Sequence, residues 1–255
     1  MTYTLITGAS SGLGEQFAKA FAQKGRNLIL AARSKQKLEQ IAQALREKHA
    51  VEIHCFECDL SHPDSAETLF KMCQDAGCEV DLLINNAGVG FFGNFEDQDI
   101  AQLQDMLLLN TLSLTKLTYL FLAQLKINQG RILNVASTAG LQPVPHWLCY
   151  AATKAYVLSF SLGLRFELKD SGVGVTTFAP GPITTPFFVN AGKSLDHTRL
   201  VKISPEDAVK AAIYGLEKGQ ALVVPGWLNK LLAFMPRLSQ TALAMRISSF
   251  LSGHQ

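Results

Sequence analysis

Tyr150 and Lys154 lie four residues apart, and Ser137 stands thirteen positions before the tyrosine. On a helix, positions i and i+4 share a face, so the Lys154 ammonium comes to lie beneath the Tyr150 phenol and favours its phenolate form. A free tyrosine, with a pKa of about 10, is a poor proton shuttle at neutral pH, and a nearby cation corrects that. On most helices the same pair is only a half-buried ring beside a solvated amine. With Ser137 and a Gly8-x-x-x-Gly12-x-Gly14 turn in the same chain, the set points to hydride transfer.

The elements that must position these residues follow from the apolar pattern. Strand-like runs near 2–7, 27–32, 51–56, 80–84, 130–136, 173–179 and 221–224 alternate with helical segments from start to finish. That alternation predicts an α/β fold: a doubly wound, Rossmann-type parallel sheet of about seven strands, helices on both faces, in a single domain. The 48% hydrophobic content suits strands buried on both faces. Leu38, Ile41, Ala42 and Leu45 keep helical spacing, and Ser61-His62-Pro63-Asp64 reads as a helix start. Residues 97–127 read as one long leucine-rich helix, with more apolar surface than a single sheet covers, which predicts a subunit partner.

Thr7-Gly8-Ala9-Ser10-Ser11-Gly12-Leu13-Gly14 directly follows the first strand and opens a helix. There, missing side chains let backbone N–H groups and a helix N-terminus reach a pyrophosphate. An acid ending the second strand would bind the adenosine ribose of NAD, but the chain reads Ala31-Ala32-Arg33. An arginine there pairs with a 2′-phosphate that an acid would repel, so the expected cofactor is NADP(H). Asp59-Leu60 ends the third strand and Asn85-Asn86-Ala87-Gly88 the fourth. Both stand at carboxyl ends of parallel strands, where open α/β sheets bind ligands.

The ordered set of glycine turn, Asn-Asn-Ala-Gly, strand-five serine and Tyr-x-x-x-Lys resembles the short-chain dehydrogenase/reductase family over residues 2 to about 225. The resemblance implies that Ser137, Tyr150 and Lys154 are catalytic, with Asn110 as the family's fourth member. Tyr150 would then donate the proton and Ser137 bond the carbonyl oxygen. Lys154 would lower the tyrosine pKa and bind the nicotinamide ribose, and Asn110 would help hold a water relaying protons to Lys154. It further implies that Pro180, Gly181, Ile183 and Thr185 hold the nicotinamide and pyrophosphate, and that Ser10, Ser11 and Leu13 serve the glycine turn. Family members that use NADP sometimes carry a basic residue inside that turn; here the position is Ser11, so preference rests mainly on Arg33, with Ser10 assisting.

Substrate contacts are expected from loops at the same sheet edge, Val89 to Phe95, Leu141 to Trp147 and the segment after Pro186, rich in Phe91, Phe92, Pro143, Val144, Pro145, Trp147, Phe187 and Phe188. Such a rim predicts an apolar carbonyl or alcohol substrate. His146 either orients that substrate or is a loop residue without a role. The substrate loop spans 186–205, and within it residues 187–199 are expected to close as a lid. Residues 226–255 form an apolar and basic helical extension, with Trp227, Leu231, Phe234, Leu238 and Met245 beside Lys230, Arg237 and Arg246. Packing on the domain or a partner is expected of it more than peripheral membrane contact.

Net charge is only +2, which offers no basic face for nucleic acid. The strand at Thr2–Ile6 leaves no room for a signal segment, so a cytoplasmic location is expected. No run near 18 uninterrupted apolar residues suggests a membrane span. The five cysteines, an odd number, suit reduced thiols. Cys55-x-x-Cys58 with Cys73-x4-Cys78 raises a zinc site, but strand residues three apart on a central strand face opposite ways, so no metal is expected. Gly8-Ala9-Ser10-Ser11-Gly12 also fits a hydrolase nucleophile elbow, which is set aside because only seven residues precede it. Two other readings compete: an NAD-dependent alcohol dehydrogenase, and a catalytically quiet NADPH-binding sensor or interaction module. A homodimer or homotetramer is expected.

Overall fold

Each apolar run becomes a strand because its side chains alternate between two separate cores. Ile6, Leu28, Leu30 and Ile84 face one layer, while Leu5, Ile29, Ala31 and Leu83 face the other. The computed structural model describes residues 1–193, 202–227, 229 and 230. Its strands are β1 (Thr2–Thr7), β2 (Asn27–Ala32), β3 (Ile53–Glu57), β4 (Glu79–Asn85), β5 (Arg131–Val135), β6 (Gly174–Phe178) and β7 (Leu222–Val223). All pair in parallel, in the order β3-β2-β1-β4-β5-β6-β7.

Helices α1 (Gly12–Gln23), α2 (Lys35–Arg46) and α8 (Pro205–Glu217) cover one face, burying Phe17, Leu38 and Ile213. Helices α3 (Ser65–Asp75) and α5 (Leu114–Ile127) cover the other with Leu69 and Phe121. Burying each such side chain contributes roughly 1.5–3 kcal/mol. The order reverses between β1 and β4, so the loops leaving those strands part and open a crevice at the carboxyl edge.

The place of β3 differs from the sequence reading. Strand β3 lies at the sheet edge rather than centrally, and Cys58 falls beyond its last residue, so alternation along a strand does not separate the two thiols. All five cysteines are free, and among the described residues no group of three or more His, Cys, Asp or Glu is placed to hold a metal. Helix α3 starts at Ser65 with Asp64 as its N-cap, as the sequence reading has it, and just before it Asp59 accepts from the Ser61 amide and hydroxyl.

The long leucine-rich helix is a composite. Helix α4 (Ile100–Leu107) runs into a π-helical turn, Leu108–Ser113, and then into α5. The whole run Ile100–Ile127 is long and apolar enough, by length and composition alone, to cross a membrane. In the fold, Leu117, Phe121 and Leu125 are spent on the sheet. Of the C-terminal extension, Leu231, Phe234, Arg237, Leu238, Met245 and Arg246 lie outside the described residues, as do residues 194–199 of the expected lid. Trp227 is 79% exposed.

Candidate active site

The carboxyl edge holds a cavity of about 670 Å³ lined from the glycine turn at one end to Phe188 at the other. At the turn, Gly8 has φ +65, a left-handed conformation that favours glycine. A Cβ on Gly14 would be driven into the Gly8 carbonyl oxygen and to 2.7 Å from Asn86 Nδ2. Gly14 therefore does not line the cavity; it lets α1 sit against the turn, a correction to its expected cofactor contact. Ser11, the N-cap of α1, makes no side-chain cap bond, which leaves the first amides of the helix to the cavity.

Thr7 ties this turn to the loop after β4. Its hydroxyl donates to the Ile84 carbonyl (3.3 Å) and accepts from the Asn86 and Ala87 amides (3.0 Å each). Asn86 Nδ2 in turn donates to the Thr7 carbonyl at 2.8 Å. Asn86 lines the cavity, but its amide holds the crevice walls together.

Gly8, Ser10, Ser11, Gly12, Leu13, Arg33, Asp59, Leu60, Ala87, Gly88, Pro180, Gly181, Ile183 and Thr185 all line the same cavity. Arg33 is exposed beyond the end of β2. Burial raises the Asp59 carboxyl, but hydrogen bonds from Ser61 and the nearby Arg33 charge outweigh it and hold the group below its ordinary value.

Ser137, Tyr150 and Lys154 converge on the cavity from β5 and from α6 (Leu148–Glu167). The Ala136 and Thr138 amides donate to the Phe178 and Pro180 carbonyls, at 2.7 and 2.9 Å, locking the serine loop to the strand beside it. The Ala139 amide donates to Ser137 Oγ (3.1 Å), and the serine hydroxyl donates to the Pro180 carbonyl at 3.5 Å. Lys154 Nζ lies 5.8 Å from the Tyr150 ring centroid and donates to the Val135 carbonyl at 2.9 Å.

Burial pushes the phenol up to about 12, against a lowering pull from Ser137, and pushes the Lys154 ammonium down to about 8. Desolvation is the largest influence on the phenol and opposes the phenolate that the lysine's position favours. Register of α6 against the sheet comes from a buried polar chain. Asn85 Nδ2 donates to Asn134 Oδ1 (2.9 Å), Asn134 Nδ2 to Ser161 Oγ (2.9 Å), and Ser161 Oγ to the Val157 carbonyl (2.6 Å).

Asn110 sits in the π-helical turn, which swings it inward. It does not line the cavity. Its Oδ1 accepts from the Val89 amide (3.0 Å), while Nδ2 donates to the Val89 carbonyl (2.8 Å) and to Thr153 Oγ1 (3.0 Å). Both amide protons are spent on Val89 and Thr153, so the Asn110 side chain clamps the loop after β4 in place. Gly90 on that loop is needed for close approach. A Cβ there would stand 2.9 Å from both Tyr150 Cδ2 and Phe187 Cζ.

The substrate end is aromatic. Trp147 packs 5.3 Å from Tyr150, 5.5 Å from Phe92 and 6.2 Å from Phe187, centroid to centroid. Phe187 and Phe188 come from α7 (Pro186–Asn190). Phe91, Val144, Trp147, Phe187 and Phe188 line the cavity, whereas Phe92, Pro143, Pro145 and His146 do not. His146 takes φ +62 and lies 5.8 Å from the Phe92 ring.

Gly90, Gln142 and Lys193 line the cavity from within the expected substrate loops without having been singled out, and Asn229 lines it from outside them. Asn229 is only 3% exposed, and its Nδ2 would be 2.8 Å from a Cβ on Gly181, so the start of the C-terminal extension belongs to the site. A lone amide in an apolar run gives no periodic or motif signal. The Gly88-x-Gly90 spacing was the one available hint.

A parallel sheet with a glycine turn at its reversal point and a Ser, Tyr, Lys cluster facing it defines an oxidoreductase. The family model for the short chain dehydrogenases matches residues 2–196, and the chain belongs to that family. It is 31% identical to very-long-chain 3-oxoacyl-CoA reductase-B of Danio rerio, an alignment covering 96% of this chain and 80% of that protein. The short-chain dehydrogenase from Sphingobium yanoikuyae, solved with NADPH, superimposes with a TM-score of 0.83 at 30% identity, covering 93% of this chain and 95% of that one. The bulky-bulky ketone specific alcohol dehydrogenase from Comamonas testosteroni gives 0.79 at 30% identity, covering 93% of each chain.

Proposed function

We propose that the protein transfers a hydride between NADP(H) and the carbonyl or hydroxyl carbon of an apolar small molecule, with Tyr150 as the acid/base. The observation that carries this reading is that Ser137, Tyr150 and Lys154 line the same cavity as the glycine turn and Arg33. The residues present fit the cofactor. Uncapped amides of α1 suit a pyrophosphate, and Arg33, following Ala32 where an acid would repel it, suits a 2′-phosphate. The NADPH complex of the Sphingobium relative supports the same choice.

Bound there, NADPH supplies the hydride, which adds to the carbonyl carbon while a proton joins the oxygen and C=O becomes CH–OH. Tyr150 supplies that proton: its O–H bond breaks as the new one forms, and the protonated phenol held by burial is the form this step needs. Ser137, fixed by the Ala139 amide, donates to the oxygen on which charge builds. Lys154 places a positive charge beside the phenolate left behind. The aromatic end excludes water and receives the apolar body.

We further infer a homodimer or homotetramer. Tyr119, Ile127 and Phe166 are exposed on α5 and α6, and a 2.9 Å bond between Thr115 and Tyr156 joins those helices into one face. The free thiols suit a reducing, cytoplasmic location.

The test is NADPH oxidation across a panel of ketones, aldehydes and quinones. Tyr150→Phe should lose about 10²- to 10⁴-fold in kcat/KM with NADPH still bound, and Arg33→Asp should cut NADPH preference over NADH by about 10- to 100-fold. NADPH binding with no turnover on any compound would overturn the reading.

A further inference from the structure

Thr153 stands next to Lys154 on α6, yet it takes no part in the cavity: it is 1% exposed and does not line it. Its hydroxyl donates to the Tyr150 carbonyl at 2.7 Å. Helical threonines often bond back to a carbonyl one turn earlier, and such a bond by itself means little. Here the same oxygen also accepts from Asn110 Nδ2 at 3.0 Å, a partner 43 positions away in sequence.

That second bond closes a circuit on the proton donor. From Asn110 the other side-chain bonds run to the Val89 amide and carbonyl, at 3.0 and 2.8 Å. The next residue, Gly90, lies so near the Tyr150 ring that a Cβ on it would stand 2.9 Å from Tyr150 Cδ2. The path thus leaves the main chain of Tyr150 through Thr153 and returns to its ring through Gly90. Two further glycines share the arrangement. A Cβ on Gly88 would be 3.1 Å from Asn110 Oδ1 and 3.3 Å from Lys154 Nζ, and one on Gly140, in the turn after Ser137, would be 2.6 Å from the Lys154 carbonyl oxygen. Packing this close leaves little slack, so the start of α6 cannot shift without moving the phenol.

We propose that Thr153 is a positioning residue whose hydroxyl holds the Tyr150 phenol in register with the loop after β4, and so with the carbonyl to be reduced. This rests on the hydride-transfer reading, in which Tyr150 delivers the proton. Without the hydroxyl, the Tyr150 main chain loses its tie and one buried Asn110 proton loses its acceptor. Asn110 keeps its bonds to Val89, so the part of the cavity wall formed by Gly88 and Val89 stands. The damage falls on proton transfer and spares cofactor binding, because a displacement of about 1 Å at a reacting group can cost on the order of 100-fold in rate.

The test compares Thr153→Val, which keeps the shape and removes the hydroxyl, with Thr153→Ser, which keeps the hydroxyl. On the best ketone of the panel, kcat should fall about 10- to 100-fold in Thr153→Val, while the NADPH dissociation constant stays within about twofold. The solvent deuterium isotope effect on kcat should rise in the same variant, as proton transfer becomes the slow step. Thr153→Ser should return both to wild-type values. A merely structural role would lower thermal stability in Thr153→Val and leave kcat and the isotope effect alone, which overturns the proposal. Should that variant not fold, Thr153→Ala carries the same comparison. A reading free of activity comes from the nuclear magnetic resonance signal of Tyr150 Cζ in the NADPH-loaded protein, assigned by its loss in Tyr150→Phe. It should shift in Thr153→Val and return in Thr153→Ser, and an unmoved signal overturns the proposal. A wild type that turns over no ketone overturns the hydride-transfer reading instead, and the Cζ signal then decides the positioning role alone.

Discussion

The two ends of the cavity are built by different means. At the cofactor end the geometry is held by backbone. Thr7 and Asn86 bond to main-chain groups, Gly14 meets the Gly8 carbonyl, and the Ser11 helix start is left uncapped. At the substrate end it is held by side-chain packing, ring on ring, from three separate loops. A backbone-built site tolerates almost no change in shape, whereas a ring-built one is redrawn whenever a side chain changes size.

Gly14→Ala should break the contrast most severely. The new methyl meets backbone, which cannot yield, so NADPH affinity should fall by about 100-fold or more or the fold should fail, as read by cofactor titration and thermal unfolding. Thr7→Val keeps the shape of the side chain but strips the Asn86 and Ala87 amides of their acceptor. Denaturant titration should show a loss of about 2–5 kcal/mol.

The rate should depend on pH through Lys154, whose burial lowers it to about 8. Its charged form persists below that pH and is lost above it, while the phenol stays protonated up to about 12. Reductive kcat/KM should therefore be level on the acid side and fall about tenfold per pH unit on the alkaline side. Lys154→Arg should move that limb upward, and a profile flat through the alkaline range would remove the lysine from the rate. The smallest effect belongs to the ring-built end. Phe187→Ala should raise KM for bulky ketones by about tenfold and leave the NADPH dissociation constant within about twofold.

That contrast also accounts for what could be read from the residues alone. Strand positions, the glycine turn, and the Ser137, Tyr150 and Lys154 set were legible because each depends on local spacing: period two in strands, i and i+4 on a helix, glycine where the backbone must turn. Arg33 was legible because it follows a strand end. The upward push of burial on the Tyr150 phenol was not, since desolvation depends on what covers the ring. Nor was the clamp between Asn110 and Val89, which exists only after residues 21 positions apart in sequence meet. Lys193 and Asn229 carry no motif, and only the closing of the cavity makes them neighbours of the chemistry.

The π-helical turn at Leu108–Ser113 works as a phase shifter. An α-helix advances about 100° per residue, so winding the same residues as regular α-helix would rotate all of α4 by that angle relative to α5. Leu103 and Met106, packed in the same cluster as Trp147 and Tyr150, would swing away from those rings, and Asn110 would leave Val89. One surplus residue thus keeps two halves of a helix in angular register with different partners: α5 with the sheet, and α4 with the wall behind the proton donor.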